Sequence, residues 1–140
     1  MNDTQALYEY RLTQAETTLK DAKKMLQAEV SPRSVINRAY YAMFYILLAL
    51  FMKMGLSIKT SKHTGVISIF DKEVVLKGKI DKKYSKMLHS IFDDRQEYDY
   101  KELIEVSEDD SIIAVKNAEE FIEAIKRIIC KSADTVIPEP

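Results

Sequence analysis

The chain has 140 residues, of which 46% are hydrophobic and 31% are charged, and this balance excludes disorder as its main state. Its formal net charge of −1 creates no overall field that would attract RNA, DNA or an anionic membrane, so any nucleic-acid contact must be local. The single cysteine, Cys130, excludes an internal disulfide and a cysteine metal cluster. We therefore expect a cytoplasmic protein, and the polar N-terminal residues predict no signal peptide.

The first two segments predict long helices. Apolar residues at three- and four-residue steps indicate a helix from about Asp3 or Thr4 to Ala28. The second helix, Ser31 to Gly55, is so apolar that tyrosine hydroxyls are its only polar groups between Ala39 and Met52. Ser31 is expected to cap its start, because a serine hydroxyl can accept a hydrogen bond from a free backbone N–H, and Gly55 is a typical end.

The composition of this second helix fits either a membrane span or a core helix enclosed by its neighbours. A span needs about 20 consecutive apolar residues. The apolar run is shorter, because Asn37 and Arg38 interrupt it before and Lys53 after. We therefore predict a buried core helix and no membrane contact, and a second copy of the chain could cover one of its sides.

A short helix and a further long helix are predicted next. Polar residues and glycine after Gly55 indicate a loop, followed by a short helix of about Val66 to Leu76 that ends at Gly78. Asp81 is expected to cap a fourth helix, from about Lys82 to Arg95 or a little beyond. Both boundaries depend on residues that favour turns and helix starts over helix interiors.

The last helix is predicted from Ser107 to near Lys131. Three acidic residues follow Ser107, and negative charge in the first turn complements the helix dipole. Residues 132–140 contain two prolines and are expected to form a flexible tail. Four long helices and one short helix predict an all-α up-and-down bundle, with a single domain over residues 1–131.

The usual catalytic motifs are missing from the sequence. It contains no glycine-rich phosphate loop, no GxSxG, no HExxH and no histidine or cysteine pair at metal spacing, so we predict no metal and no other cofactor. His63 and His89 are expected to be solvated or to lie at the edge of the core. A basic run could bind phosphates, although such runs more often form soluble surface. Its members are Lys77, Lys79, Lys82, Lys83 and Lys86.

The most informative polar segment is DDRQEYDY, residues 93–100. If the fourth helix continues through it, Arg95 and Asp99 lie on one face as an ordinary salt bridge, whereas Tyr100 points about 140° away from Arg95. If the helix ends near Glu97, the chain can turn back and bring residues 98–100 beside the guanidinium, forming a pocket for a phosphate. The residues alone leave both structures open.

Three segments together resemble the HEPN family of small helical prokaryotic proteins. They are SVINRAYYAMFYILLALF (34–51), KTSKHTGVISIFDKEVVLKGKI (59–80) and FDDRQEYDY (92–100). The resemblance extends over about Tyr8 to Ile129, and its most specific parts are the NRAYYA segment and the RQxxDY segment. It implies a helical bundle of four to five helices that forms a homodimer, often beside a small nucleotidyltransferase partner.

The resemblance also implies a chemistry, from which this chain departs. Many family members are metal-independent ribonucleases of toxin–antitoxin or defence systems, which use an arginine, a polar residue after it and a histidine four to six residues later. Arg95 and Gln96 fit this pattern, but Tyr100 stands in place of the histidine. Free tyrosine titrates near 10, so about one in a thousand is ionised at pH 7 and RNA cleavage lacks its base.

The leading hypothesis is a HEPN-like dimer that binds a nucleotide, an RNA phosphate or a nucleotidyltransferase partner. Arg95, Gln96 and Tyr100 would form the degenerate catalytic motif. Further candidate ligand contacts, beside Arg95 itself, are Asn37, Arg38, His63, Tyr98 and Asp99. Asn37 and Arg38 are included because two polar side chains on so apolar a helix need partners.

Two alternatives remain. One is an active ribonuclease that has rearranged its acid–base group, in which His63 substitutes if the loop after the second helix folds over the site. The other is a structural dimer without ligand, in which Arg95 simply pairs with Asp99.

Overall fold

The chain folds into helices, and none of the residues that the structure describes lies in a strand. The computed structural model describes residues 3–56, 58, 62–100 and 105–134, with 97–100 and 132–134 described by their backbone alone. The helices are α1 (Asp3–Gln27), α2 (Pro32–Lys53), α3 (His63–Phe70), α4 (Lys83–Tyr100) and α5 (Glu108–Asp134). The predicted all-α class is therefore confirmed.

Helix α2 forms the centre of the bundle. It packs against α1, α4 and α5, and 12 of its 22 residues are buried. Its fully buried large side chains are Tyr40, Met43, Ile46, Leu47, Leu50 and Phe51. Within the described part of the chain, α2 alone has the length and apolarity of a membrane span, but 67% of that window lies inside the bundle. The predicted core helix is thus confirmed.

Three helical segments end with the same backbone arrangement. At each end one residue has a positive φ, and the next N–H donates to a carbonyl five residues earlier. Gly55 (φ 73°) and Gly78 (φ 72°) adopt this conformation, as the sequence predicted. After α1 the same position is occupied by Glu29 (φ 60°). Residues with a Cβ rarely adopt this left-handed conformation.

The helix starts agree with the sequence at two of three predicted caps. The Lys83 N–H donates to Asp81 Oδ1 (2.8 Å), and Ser107 and Asp110 bond reciprocally through backbone N–H groups and side chains (3.1 and 3.2 Å). The predicted cap by Ser31 is wrong, because its hydroxyl donates to the Ser34 hydroxyl (2.9 Å) instead. That local bond competes with capping.

Two boundaries differ from the predictions. Helix α3 begins at His63, earlier than expected, and continues into a π-helical turn, Asp71–Val75. Helix α4 continues to Tyr100, so of the two structures left open for residues 93–100 the continuing helix is the one observed. No glycine or proline interrupts residues 96–100, and the helix therefore propagates beyond Arg95.

The last helix extends past its predicted end. Helix α5 continues to Asp134, three residues beyond Lys131, because nothing between them breaks a helix. The rest of the predicted tail, residues 135–140, lies outside the described residues. A single domain over residues 1–131 stays a prediction.

Candidate functional site on the polar edge of α2

The side chain of Arg95 is bound to α2. Its Nε donates to Asn37 Oδ1 and its Nη2 donates to the Tyr41 hydroxyl, both at 3.3 Å. Arg95 is half-buried, as are both of its partners. Helix α4 therefore holds the guanidinium against the first half of α2, and two of the residues singled out in the sequence, Asn37 and Arg95, come together.

Two tyrosine rings flank the guanidinium. The Arg95 Cζ lies 5.1 Å from the centroid of the Tyr40 ring and 5.2 Å from that of Tyr41. Contacts of a cation with an aromatic ring contribute about 0.5–2 kcal/mol each. Together with the two hydrogen bonds, they hold the charge in one position before any ligand arrives. A fixed planar fork of donors is what recognition of a phosphate requires.

His63 joins the same group of side chains. Its Nδ1 lies 2.7 Å from the Tyr40 hydroxyl, and its ring stacks on Phe44 with the centroids 4.2 Å apart. The ring also meets Tyr41 edge-on, at a centroid distance of 5.6 Å. His63, the first residue of α3, therefore lies against α2 and contacts the same two tyrosines as Arg95. We call Asn37, Tyr40, Tyr41, His63 and Arg95 the Arg95 site.

Electrostatics determine the protonation of His63 and Tyr40. Burial, and secondarily the Arg95 charge, lower the pKa of His63 below its ordinary value, so the imidazole is neutral at pH 7. Burial raises the pKa of Tyr40, with Tyr41 adding to the rise and Arg95 opposing it, so its hydroxyl keeps its proton.

With both groups neutral, the burial of the Tyr40 hydroxyl favours one tautomer of the imidazole. Tyr40 is fully buried, and its hydroxyl proton is satisfied when it is donated to His63 Nδ1. In that arrangement Nε2 carries the imidazole hydrogen. His63 then offers a hydrogen-bond donor, like Arg95, and no free acceptor nitrogen.

An open groove lies beside the site. It has a volume of about 540 Å³, within the range of small-molecule sites. Its lining residues are Met25, Ser34, Asn37, Arg38, Tyr41 and Tyr45. The described lining contains no carboxylate, and the exposed Arg38 adds a second cation next to the Arg95 partners. A negatively charged ligand in this groove would meet arginine, amide and hydroxyl groups.

The other predicted site residues are described only in part. Gln96 is exposed, and the rotation of 100° per residue directs it away from the face that carries Arg95. The backbone of Tyr98, Asp99 and Tyr100 is helical, but their side chains lie outside the described residues.

The sequence predictions missed the role of the tyrosines, which they assigned to the core. A signal was present. Asn37, Tyr41 and Tyr45 follow one another at steps of four residues, so they form a single stripe along the otherwise apolar α2. All three are half-buried in the structure and line the groove. A polar stripe on a core helix is therefore the pattern that could have located this edge.

A second polar cluster lies elsewhere in the bundle. Ser85 Oγ donates to Asp71 Oδ1 and His89 Nε2 lies near Asp71 Oδ2, both at 2.6 Å. These residue types occur in hydrolase triads, but here the carboxylate separates serine from histidine, so His89 cannot take the Ser85 proton through this arrangement. The cluster connects the π-helical turn to α4. His89 is therefore an exposed histidine whose contact with Asp71 has a structural role.

Comparison with known proteins agrees with this architecture. The sequence model of the HEPN domain matches residues 8–128. The chain belongs to the HEPN domain family. A UPF0332 protein of Thermotoga maritima is 39% identical over 129 residues, which cover 92% of this chain and 96% of the relative. A UPF0332 protein of Archaeoglobus fulgidus is 35% identical over 89% of this chain and 96% of its own.

Two further relatives carry a functional name. One of them, a protein of Methanocaldococcus jannaschii, provisionally named a toxin, is 31% identical to this HEPN protein over 115 residues. The match covers 82% of this chain and 83% of the relative. The similarity thus extends over most of both chains, including the helices that form the Arg95 site.

Proposed function

We propose that this HEPN protein binds a phosphate group of single-stranded RNA or of a nucleotide at the Arg95 site, in a toxin-like role. The observation that carries the proposal is the fixed position of the Arg95 guanidinium, hydrogen-bonded to Asn37 and Tyr41 at the border of an open groove. Guanidinium–phosphate hydrogen bonds are charge-assisted and strong. The described lining of the groove contains no carboxylate that would repel an anion.

The remaining groups around the groove supply further contacts for RNA. Arg38 can hold a neighbouring phosphate, and the Nε2–H of His63 can donate to an anionic oxygen. The half-buried rings of Tyr41 and Tyr45 offer faces on which unstacked bases can lie. Because the net charge of the chain is −1, affinity depends on these local contacts and should weaken as salt increases.

Binding is favoured over cleavage by the chemistry of His63. Cleavage of RNA needs a group that accepts the proton of the 2′-hydroxyl. With Tyr40 donating to Nδ1, the neutral imidazole has no free acceptor nitrogen. Arg95 cannot serve, because its guanidinium keeps its protons in proteins.

A titration with short single-stranded RNA carrying a 5′-hydroxyl end tests the proposal. We expect Arg95→Ala to weaken binding at least about ten-fold, since it removes charge-assisted hydrogen bonds of about 1.5–3 kcal/mol. Arg95→Lys should be intermediate, because it keeps the charge and loses the planar fork. The matched control is Lys116→Ala, which removes an exposed cation outside the groove.

Each variant must first show a helical spectrum and a cooperative melt. If folded Arg95→Ala binds this RNA as tightly as the wild type, the proposal fails. If no variant and no wild-type protein binds RNA or AMP, and Arg95→Ala only melts earlier, Arg95 has a structural role.

A second candidate function is a metal-independent ribonuclease. It is favoured by the placement of His63, which shares the Tyr40 and Tyr41 rings with Arg95. If the Tyr40–His63 bond reversed, so that Nδ1–H donated to the hydroxyl, Nε2 would become a proton acceptor. Incubation of labelled RNA with chelator separates the two functions. Cleavage that disappears in both His63→Ala and Arg95→Ala would replace the binding proposal with this one.

We also propose that the protein acts in the cytoplasm as a homodimer and that a nucleotidyltransferase is its partner. The resemblance to stand-alone HEPN proteins motivates both. An apolar groove of about 440 Å³ supports the dimer, since Phe44 and Tyr45 line it beside the Arg95 site. Light scattering should give twice the chain mass of 16.2 kDa, and a constant mass of one chain would contradict the dimer. A neighbouring gene without nucleotidyltransferase sequence would remove the support for that partner.

A further inference from the structure

A second groove lies at the other end of α4. It has a volume of about 510 Å³ and is formed by the turn before α4, the start of α4 and the last turns of α5. Its lining residues are Gly78, Lys79, Ile80, Tyr84, Ala124, Arg127, Ile128 and Lys131. Tyr84 and Arg95 are separated by about 16 Å along α4 at 1.5 Å per residue. We call this surface the basic groove, and it is distinct from the Arg95 site.

Three cations line the basic groove, and Glu73, which lies outside the lining, interacts electrostatically with one of them, Lys79. Lys79, Arg127 and Lys131 all line it, and no acidic residue is among the described lining. In the described part of the chain none of the three forms an ion pair. The neighbouring Lys77 and Lys83, in contrast, are paired with glutamates at 2.6 and 3.5 Å. Like charges gathered in one place repel one another, and a bound polyanion relieves that repulsion.

The floor of the basic groove is apolar. Ile80, Ala124 and Ile128 contribute to the lining, with the almost fully buried Tyr84 beside them. An ion of phosphate alone would leave this floor unused. A ligand that carries both several negative charges and a planar, weakly polar ring system would use the cations and the floor together. The volume also suits a molecule of nucleotide size.

We propose that the basic groove binds a nucleoside 5′-polyphosphate. The phosphate chain contacts Lys79, Arg127 and Lys131, and the base lies over the apolar floor. The same chemistry occurs in a free nucleoside triphosphate and at the 5′-triphosphate end of an RNA. This site is independent of the phosphate binding proposed for Arg95.

The experiment uses the Arg95→Ala protein, so that only the basic groove is measured. Calorimetric titration with ATP should show one saturable site. Adding Lys79→Gln and Arg127→Gln should weaken ATP binding at least ten-fold. The matched control adds Lys86→Gln and Lys116→Gln, which remove two exposed charges outside the groove, and should leave the affinity within about two-fold.

Two further ligands test the assignment. Inorganic tripolyphosphate should bind more weakly than ATP, because it makes no contact with the apolar floor. A 5′-triphosphate RNA that binds more tightly than both ATP and its 5′-hydroxyl counterpart, with the preference lost in the groove variant, identifies the RNA end as the source. A preference for ATP identifies the free nucleotide.

Three results would overturn the proposal. In the first, the folded protein shows no saturable binding of ATP or of triphosphate RNA. In the second, the groove variant and its charge-matched control bind ATP with equal affinity. In the third, tripolyphosphate binds as tightly as ATP.

Discussion

The two sides of α2 perform different tasks. On one side Ile46, Leu47, Leu50 and Phe51 are completely buried in the common core. On the other side the stripe of Asn37, Tyr41 and Tyr45 is half-buried, and Arg95 lies against it. Apolar burial is non-directional and stabilises in proportion to area, whereas hydrogen bonds and cation–aromatic contacts depend on geometry. Substitutions on the buried side of α2 should therefore change mainly stability, whereas substitutions on the polar side should change mainly ligand binding.

The first test creates a cavity on the buried side of α2. Leu47→Ala should lower the free energy of unfolding by about 2–5 kcal/mol, because the side chain is fully buried and the space is refilled only in part. Urea denaturation followed by circular dichroism measures the change. Leu76→Ala is the control, since that side chain is 81% exposed and should change stability by less than about 0.5 kcal/mol. Equal effects of the two variants would contradict the burial of α2.

The second test concerns the boundary between the two sides. Tyr40 has its ring in the core and its hydroxyl on His63, so Tyr40→Phe keeps the packing and removes the partner of Nδ1. We expect a loss of about 1–3 kcal/mol, which is the cost of an unsatisfied polar group in a buried setting. Tyr10→Phe, at an exposed position, is the matched control. If both variants unfold at the same denaturant concentration, the Tyr40–His63 hydrogen bond does not stabilise the fold.

A third test strengthens the entry to α2 without contacting the Arg95 site. Glu29 has a positive φ at the end of α1, where glycine carries no steric cost. Glu29→Gly should stabilise the protein by about 1 kcal/mol. The substitution removes the steric cost of the left-handed conformation, and the larger conformational entropy of glycine in the unfolded chain offsets part of that gain. Glu29→Ala retains a Cβ and should give no comparable gain. Neither substitution should change RNA binding, and a change would show that the two sides of α2 are coupled.

The smallest expected effect is a pH dependence from the polar edge. Burial and the Arg95 charge lower the pKa of His63 in the folded chain. At a pH just below the ordinary histidine pKa, near 6.5, the unfolded chain therefore binds more protons than the folded chain. The stability contributed by neutral His63 is therefore present above about pH 6.5 and is lost as the pH falls through its folded-state pKa.

Urea denaturation at about pH 7.5 and 5.5 measures this effect. The loss of stability at the lower pH should be smaller in His63→Gln than in the wild type. His89→Gln is the comparison, because His89 contacts Asp71 away from the Arg95 site and its removal leaves the His63 contribution in place. An unchanged pH dependence in His63→Gln would show that His63 titrates as in the unfolded chain.

The sequence by itself determined the helices, because their signals are local. Apolar spacing, the Asp81 and Ser107 caps and the glycines at 55 and 78 act over a few residues, and each appears in the structure as expected. The HEPN resemblance likewise depended on short segments, among them the one that contains Arg95. Ser31 failed as a cap because a competing side chain, Ser34, was equally close.

The sites were decided by the tertiary structure alone. His63 meets Tyr40 across 23 positions, Arg95 meets Asn37 across 58, and Lys79 lines one groove with Arg127. Such contacts depend on how α3, α4 and α5 pack in the bundle, which no local pattern of residues encodes. The absence of the motif histidine was visible in the amino-acid sequence. The position of the His63 imidazole near Arg95 became visible only in the folded structure.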